Sequence, residues 1–462
     1  MMQETAAKKA PDLGKDSIPR LLVTFAVPAI VGLMINALYN IVDRIFVGNG
    51  VGAMGLAGIA VSFPAFVIMM AFGMMVGVGG SVSFSIRLGQ RKIPVAEKIL
   101  ANSLVLIVSM TVCLVAGQII FIEELLRFFG ATDTILPYAK TYTEIILFGN
   151  VFLTANMTMN NFIRASGFPR FAMGTMVVGA IVNTILDPVF IFCFDMGVGG
   201  AALATVIANI CSFAWASSFF ISSKAPYRIR MKNLPLNSKA VLAILSIGIA
   251  PFTIQMANGF MQTVMNKTLV EYGGDLAVSA LGVAASTVVL LFMPVMGVCE
   301  GAQPLIGFNF GAKNYRRVVR IYWLAAGVST AIMLVSWIIL RFFAGHVVAL
   351  FDPDDQDLIA LGGKALKAMT LMIPLIGFQI ATTVFLQATK HPRWAAFLSL
   401  CRQLLFLIPS LMILPRYLGL AGVFYSLPVA DFLAAVLCVA VTAAHLKKMR
   451  RLSLKQERIS EK

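Results

Sequence analysis

Two carboxylates stand inside apolar runs where a carboxylate is costly. Asp43 lies in PAIVGLMINALYNIVDRIFVG and Asp187 in GAIVNTILDPVFIF. An acid at the centre of a membrane helix costs about 2.5–3.5 kcal/mol on insertion scales, so it faces protein or a water-filled cavity. The chemistry such a pair offers is reversible capture of a cation. Asn183 precedes Asp187 by one helical turn and shares its face, and Thr205 brings a hydroxyl from the next apolar run. Oxygen ligands of this kind suit a hard cation such as Na⁺, while two close carboxylates can equally share a proton. The residues do not choose between the two ions. A bland alternative pairs Asp43 with Arg44, but adjacent residues point in different directions on a helix.

Other polar groups are scattered through the apolar runs. Asn36, Asn40, Tyr142, Asn156, Asn160, Gln255, Asn258, Gln262 and Gln303 can line a cavity, or they can bond neighbouring helices. Glu300, in VCEGAQPL, approaches the basic end of its run, where it can attract a cationic substrate or pair locally. Asp431, in SLPVADFLA, has the same two readings. The 25 methionines supply adaptable apolar contact of the kind promiscuous binders use. Pro28 removes one backbone hydrogen bond from the first run, and Gly32 follows one turn later, which lets a helix bend.

The elements that position these groups are membrane helices. The chain has 462 residues, is 59% hydrophobic and only 13% charged, and its mean hydropathy is +0.87. Those values exclude a soluble domain of this length. Runs long enough to span a bilayer recur about every 35 residues, room for roughly twelve spans. The N-terminus shows no cleavable secretory signal.

The net charge of +16 reports orientation rather than nucleic-acid binding. Lys and Arg concentrate in alternate loops, from Lys8–Arg20 through Arg87–Lys92, Arg164–Arg170, Lys224–Lys239, Lys313–Arg320 and Lys390–Arg393 to the tail. Acids occupy the intervening loops. The positive-inside rule then puts both termini in the cytoplasm.

One grammar occurs twice, offset by about 222 residues. FIRASGFPR (Phe162–Arg170) answers FLQATKHPR (Phe385–Arg393), MGVGGAALA answers YLGLAGVFY, Gly89 answers Gly311, and Pro28 answers Pro251. The chain therefore divides into an N-terminal six-helix lobe (1–222), a basic cytoplasmic linker (223–239) and a C-terminal six-helix lobe (240–462). Parallel repeats of this kind flank a central cavity suited to alternating access. The repeat keeps its scaffold but not its acids: Asp43 falls near Asn266 and Asp187 near Ser410. Scaffolding alone does not require them, and the ion site is expected in the N-terminal lobe only.

Enzyme signatures fail on context. Gly197-Val-Gly199-Gly-Ala-Ala202 fits a dinucleotide fingerprint literally, but no βαβ unit surrounds it, and no phosphate-binding loop is present. The six cysteines all lie in apolar runs without metal spacing, and the three histidines form no cluster. The Asp352–Asp357 cluster lacks the glycine and terminal glutamate of an EF-hand loop.

The strings PAIVGLMINALYNIVDRIFVG, IRASGFPRFAM, NTILDP and EGAQPLIGFNFGAKN resemble the MATE (multidrug and toxic compound extrusion) family, nearest its MepA-like and DinF-like branches. The resemblance covers nearly all twelve expected spans. It implies an all-α polytopic membrane protein, two six-helix lobes in a V around a central cavity, and no enzyme activity. It also implies monomeric export of organic cations and amphiphiles from the bacterial plasma membrane by H⁺ or Na⁺ antiport, with no further cofactor. By the same resemblance Asp43, Asn183, Asp187 and Thr205 hold the coupling ion, Ala201 fits a backbone-carbonyl ligand, Pro28 bends the first span, and Tyr142, Asn156 and Asn160 line the N-lobe cavity. Glu300 departs from the neutral residue expected there. The competing reading is a lipid-linked oligosaccharide flippase, for which more spans and a basic cavity are expected.

Overall fold

The computed structural model describes residues 11–222, 225–350 and 355–460. Among them every regular element is helical. The first half contains α1 (Ile18–Val51), α2 (Ala53–Gly89), α3 (Ile93–Ile120), the short α4 (Ile122–Phe128), α5 (Leu136–Ala165), α6 (Pro169–Pro188) and α7 (Gly197–Ile221). The second contains α8 (Ser238–Gly311), α9 (Tyr315–Ala349), α10 (Gln356–Met369), α11 (Ile373–Ala388), α12 (Pro392–Leu400), α13 (Ile408–Leu418) and α14 (Leu420–Ser460). Prolines open α1, α3, α5, α6, α11, α12 and α13, in the first turn, where the missing N–H has no helical partner to lose. Side-chain oxygens of Asn237 and Asn314 cap α8 and α9 at 3.3 Å, satisfying donors that a helix start leaves over.

Among the described residues ten stretches are long and apolar enough to cross a membrane, eleven with α10 and α11 taken as one span bent by 50°. The remaining expected span is α5, 30 residues long but more polar, packed between α2 and α7. Two of the ten stretches, Ser238–Gln262 and Ala280–Gly311, belong to α8. This element cannot be one straight rod. Gly248 abuts Met75 of α2, and Gly311 abuts Ile86, positions roughly 16 Å apart along α2 at 1.5 Å per residue. The chain must therefore double back between them, which supplies two crossings.

The repeat is visible in backbone conformation. Left-handed φ values occur at Arg91 (58°) and its counterpart Lys313 (61°), at Gly167 (96°) and Lys390 (62°), and at Gly197 (56°) and Gly419 (56°). A bulky residue in that region is uncommon, so Lys390 in place of glycine shows that the turn outranks the residue's preference. The fifth run of each half also contains a π-helical stretch, Val189–Cys193 and Cys401–Leu407, a distortion that recurs at functional sites.

The halves meet along α2 and α8. At the end carrying the basic loops the contact is backbone to backbone. A Cβ on Gly89 would stand 1.9 Å from the Phe308 carbonyl oxygen, and one on Gly311 would stand 2.0 Å from that of Ile86. Only glycine permits such an approach. α1 belongs to both halves. Its first turns (Leu21, Leu22, Phe25, Ala26) pack in the core of the second half with Val295, Ile306 and Tyr322. Its far end packs in the first, where Val47 meets Ile191 and Ala201. Pro28 lies between these segments and α1 runs on through it, while Gly301 and Gly297 of α8 meet the backbone at Ala26 and Ile30.

Candidate ion-coupling site and cavity

Asp187 is fully buried and Asn183 nearly so, one turn apart on α6. Asn183 Nδ2 donates to Asp187 Oδ1 at 3.1 Å and to Thr205 Oγ1 of α7 at 3.3 Å. The Asp187 carboxyl also lies within hydrogen-bond reach of the Asp43 carboxyl on α1. A hydrogen bond between two carboxyl groups needs a proton between them, since ionised carboxylates only accept. Asp187 Oδ2 and Asn183 Oδ1 are buried without an N–H or hydroxyl donor. Three helices thus bring four oxygen-bearing side chains, Asp43, Asn183, Asp187 and Thr205, to one spot, because α1, α6 and α7 pack mutually. Tyr39, one turn before Asp43, is close enough to feel both acids, and the sequence reading did not single it out. Ala201 is buried beside Val47 and Ile191. The Arg44 side chain lies outside the described residues, as do Asp352–Asp354, within the acidic cluster.

The amides fall into two groups. Asn160 Nδ2 donates to Ala172 O at 2.7 Å and to Thr175 Oγ1 at 2.6 Å, tying α5 to α6. Asn40 Nδ2 donates back to Asn36 O at 2.6 Å on α1. Tyr142 is half-buried on α5, and Asn156 keeps a buried Oδ1 without a donor. Gln255, Asn258, Gln303 and Glu300 instead line a cavity of ≈ 300 Å³, bordered by Met74, Val78 and Asn161 of the first half. Gln262 lines a second cavity of ≈ 420 Å³, and both cavities share Asn258, Phe292, Arg402 and Gln403.

Charge is distributed differently from expectation. Arg164, read as a loop cation, is buried at the end of α5 and forms an ion pair with Glu300 across the halves. Its Nη2 also donates to Asn161 Oδ1 at 2.8 Å. Glu300 therefore pairs, but with the opposite half rather than locally. Asp431, almost fully buried on α14, accepts from Arg402 Nε at 2.7 Å. Arg402 was not anticipated, although a single arginine in the apolar string SLCRQLLFLI was a visible signal.

Residues 28–189 and 251–412 each match the MatE family, two copies of one unit covering most of the chain. The chain belongs to the MatE family. The MATE relatives it resembles include the multidrug export protein MepA of Staphylococcus aureus strain MSSA476, 28% identical over 92% of this chain and 94% of that protein. MepA of Staphylococcus saprophyticus is 24% identical over the same shares. Among solved structures, a MATE protein in complex with MaL6 superposes with a TM-score of 0.91 at 24% identity, covering 96% of this chain and 99% of its own. An outward-facing MATE transporter of the MOP superfamily gives 0.90 at 23%, with the same coverage. A MOP-superfamily transporter from Pyrococcus furiosus gives 0.91 at 24%, again over 96% and 99%. The fold is thus the V-shaped, two-lobed MATE architecture, and the chain is a multi-pass membrane transporter, not an enzyme.

Proposed function

We propose that this MATE-family chain is a secondary active exporter of organic cations and other amphiphiles, driven by cation exchange at the Asp43–Asp187 pair. The contact between those two carboxyls carries the reading. Outside this role, two acids brought together in a buried site are a cost with no stabilising return. Names given to the relatives, multidrug export proteins, agree with it.

The coupling ion that the contact favours is H⁺. Loss of the shared proton leaves two neighbouring carboxylates, one of them fully buried, an arrangement that favours recapture of a proton. α1 links this event to the second half, since its first turns pack there while Asp43 sits among α6 and α7. Proton exchange that repositions the Asp43 end of α1 would strain its passage at Pro28, Gly297 and Gly301. Na⁺ is the second reading, favoured by the donor-free oxygens Asp187 Oδ2 and Asn183 Oδ1 beside the Thr205 hydroxyl.

The state described is closed at the basic-loop end, where Gly89, Gly311 and the Arg164–Glu300 pair bring the lobes together. With both termini cytoplasmic, it faces outward, and substrate occupies the amide-lined space between the lobes. The protein acts as a monomer in the plasma membrane. Its test is dye export from proteoliposomes under an imposed pH or Na⁺ gradient. Export driven by either gradient supports the reading, the pH gradient selecting H⁺. Gradient-independent leak that persists in Asp43→Asn and Asp187→Asn would overturn it.

A further inference from the structure

The most unusual group in the C-terminal lobe is the Arg402 guanidinium. It lies in the π-helical stretch Cys401–Leu407 and borders both cavities, the one shared with the first half and the one within the C-terminal lobe. Its neighbours Leu404 and Leu405 are exposed on the other side of the span, where lipid would lie, so the distorted turn points the cation inward. Asp431 takes Nε. Among the described residues Nη1 and Nη2 make no hydrogen bond, and the side chain keeps 28% of its surface open. The two free nitrogens form the planar fork that receives a carboxylate or phosphate through two parallel bonds.

Its surroundings hold that fork in place. Gln379 Nε2 donates to the Asp431 carbonyl oxygen at 2.8 Å, fixing the helix that carries the acid. Gln403 bonds Asn258. The other walls of the ≈ 420 Å³ cavity mix apolar side chains, among them Phe292, Met261 and Ile376, with the polar Gln262 and Thr370. Stability does not explain the pair, because a buried ion pair is often matched or bettered by apolar residues of similar volume. The repeat scaffold does not explain it either, since the corresponding stretch of the first half, GAIVN near residue 181, carries no cation.

We infer that the C-lobe cavity is a binding subsite for the oxyanion of an amphiphilic substrate, received by Arg402 Nη1 and Nη2. The inference rests on the proposed export through this cavity and narrows its substrates to include molecules with an anionic group on an apolar body. Asp431 serves as a positioning residue: it orients the guanidinium and partly offsets its charge, so that binding stays reversible. Glu300, on the wall of the ≈ 300 Å³ cavity, supplies the opposite sign for a ligand that also carries a cation.

The test is equilibrium binding to the full-length protein in detergent, with no gradient. The probes are a rhodamine-type fluorophore bearing a free carboxylate and its methyl ester. The wild type should bind the acid at least tenfold more tightly than the ester. Arg402→Gln combined with Asp431→Asn removes both charges and strands neither. That variant should bind the two probes equally, with ester affinity unchanged. Arg402→Lys, which keeps the charge and loses the fork, should retain less than a third of the preference, and it serves if the double variant does not fold. Competition by phosphatidylglycerol but not phosphatidylcholine would identify a lipid headgroup as a source of the oxyanion; competition by neither leaves soluble amphiphiles. Equal binding of acid and ester by the wild type, or an undiminished preference in these variants, overturns the inference. An acid preference that survives in a protein unable to couple transport to a gradient would sink the coupling reading alone.

Discussion

Arg164 and Glu300 form an ion pair that joins the two lobes, the arginine buried and the glutamate partly open to the cavity. The pair sits beside glycine-mediated backbone contacts of α2 and α8, at the end where the lobes touch. It is an ionic latch across the seam between the lobes, and its partners come from different repeats. Breaking it strands a buried arginine, with Asn161 Oδ1 as its remaining acceptor.

Glu300→Gln is therefore expected to lower stability by about 1–3 kcal/mol, below the full cost of breaking a buried pair because Glu300 is partly solvated. It should also raise the population of the state open at the basic-loop end. Thermal unfolding in detergent reads the first effect, and spin-label distances between the lobes read the second. The swap Arg164→Glu with Glu300→Arg should recover a measurable part of both.

Asp187→Asn keeps the shape of the side chain and its contact with Asn183 while removing exchangeable charge. Gradient-driven export should fall at least tenfold, with a melting temperature within a few degrees of the parent. The same is expected of Asp43→Asn. Dye transport in proteoliposomes and a parallel melting curve separate lost coupling from lost folding.

Gly311→Ala would put a methyl group 2.0 Å from the Ile86 carbonyl oxygen. Backbone on both sides leaves little room to adjust, so the lobes must part or strain at a cost of about 1–3 kcal/mol. Cysteine labelling at the basic-loop end should become faster in this variant. Gly117→Ala, where a Cβ meets nothing within 4 Å, is the control: it should leave labelling unchanged and, lying within α3, not lower stability.

His391, in the turn before α12, packs edge-on against His445 with ring centroids 4.7 Å apart. Burial, reinforced by His445 and Lys448, holds its pKa below the ordinary 6.5. The unfolded chain then binds more protons than the folded one as pH falls below 6.5, so this group removes stability on acidification. Above 6.5 both states hold it neutral and it contributes no slope. His391→Gln should flatten the decline of melting temperature between about pH 6.5 and 5, as followed by a thermal-shift series.

Much of the molecule was legible in one dimension. Hydropathy and repeated turn motifs are local properties, and they are enough to give the spans and the doubling of one unit. The acids of the first half were legible for the same reason: a carboxylate in an apolar run needs a role wherever that run packs. One-turn spacing also brought Asn183 onto the face of Asp187 without knowledge of any other helix.

Tertiary structure decided the partners and the facing. No string reveals that Arg164, beside a basic loop, turns inward to reach Glu300, or that Asn160 ties α5 to α6. Nor does it reveal that α1 divides its packing between the lobes on either side of Pro28. Arg402 was visible as a charge, but only the packing of its helix shows that it borders the cavities and meets Asp431. The physical reason is that hydropathy fixes how deep a residue lies along a helix. Rotation about that axis, and therefore the neighbour each polar atom meets, is set by packing between segments far apart in sequence.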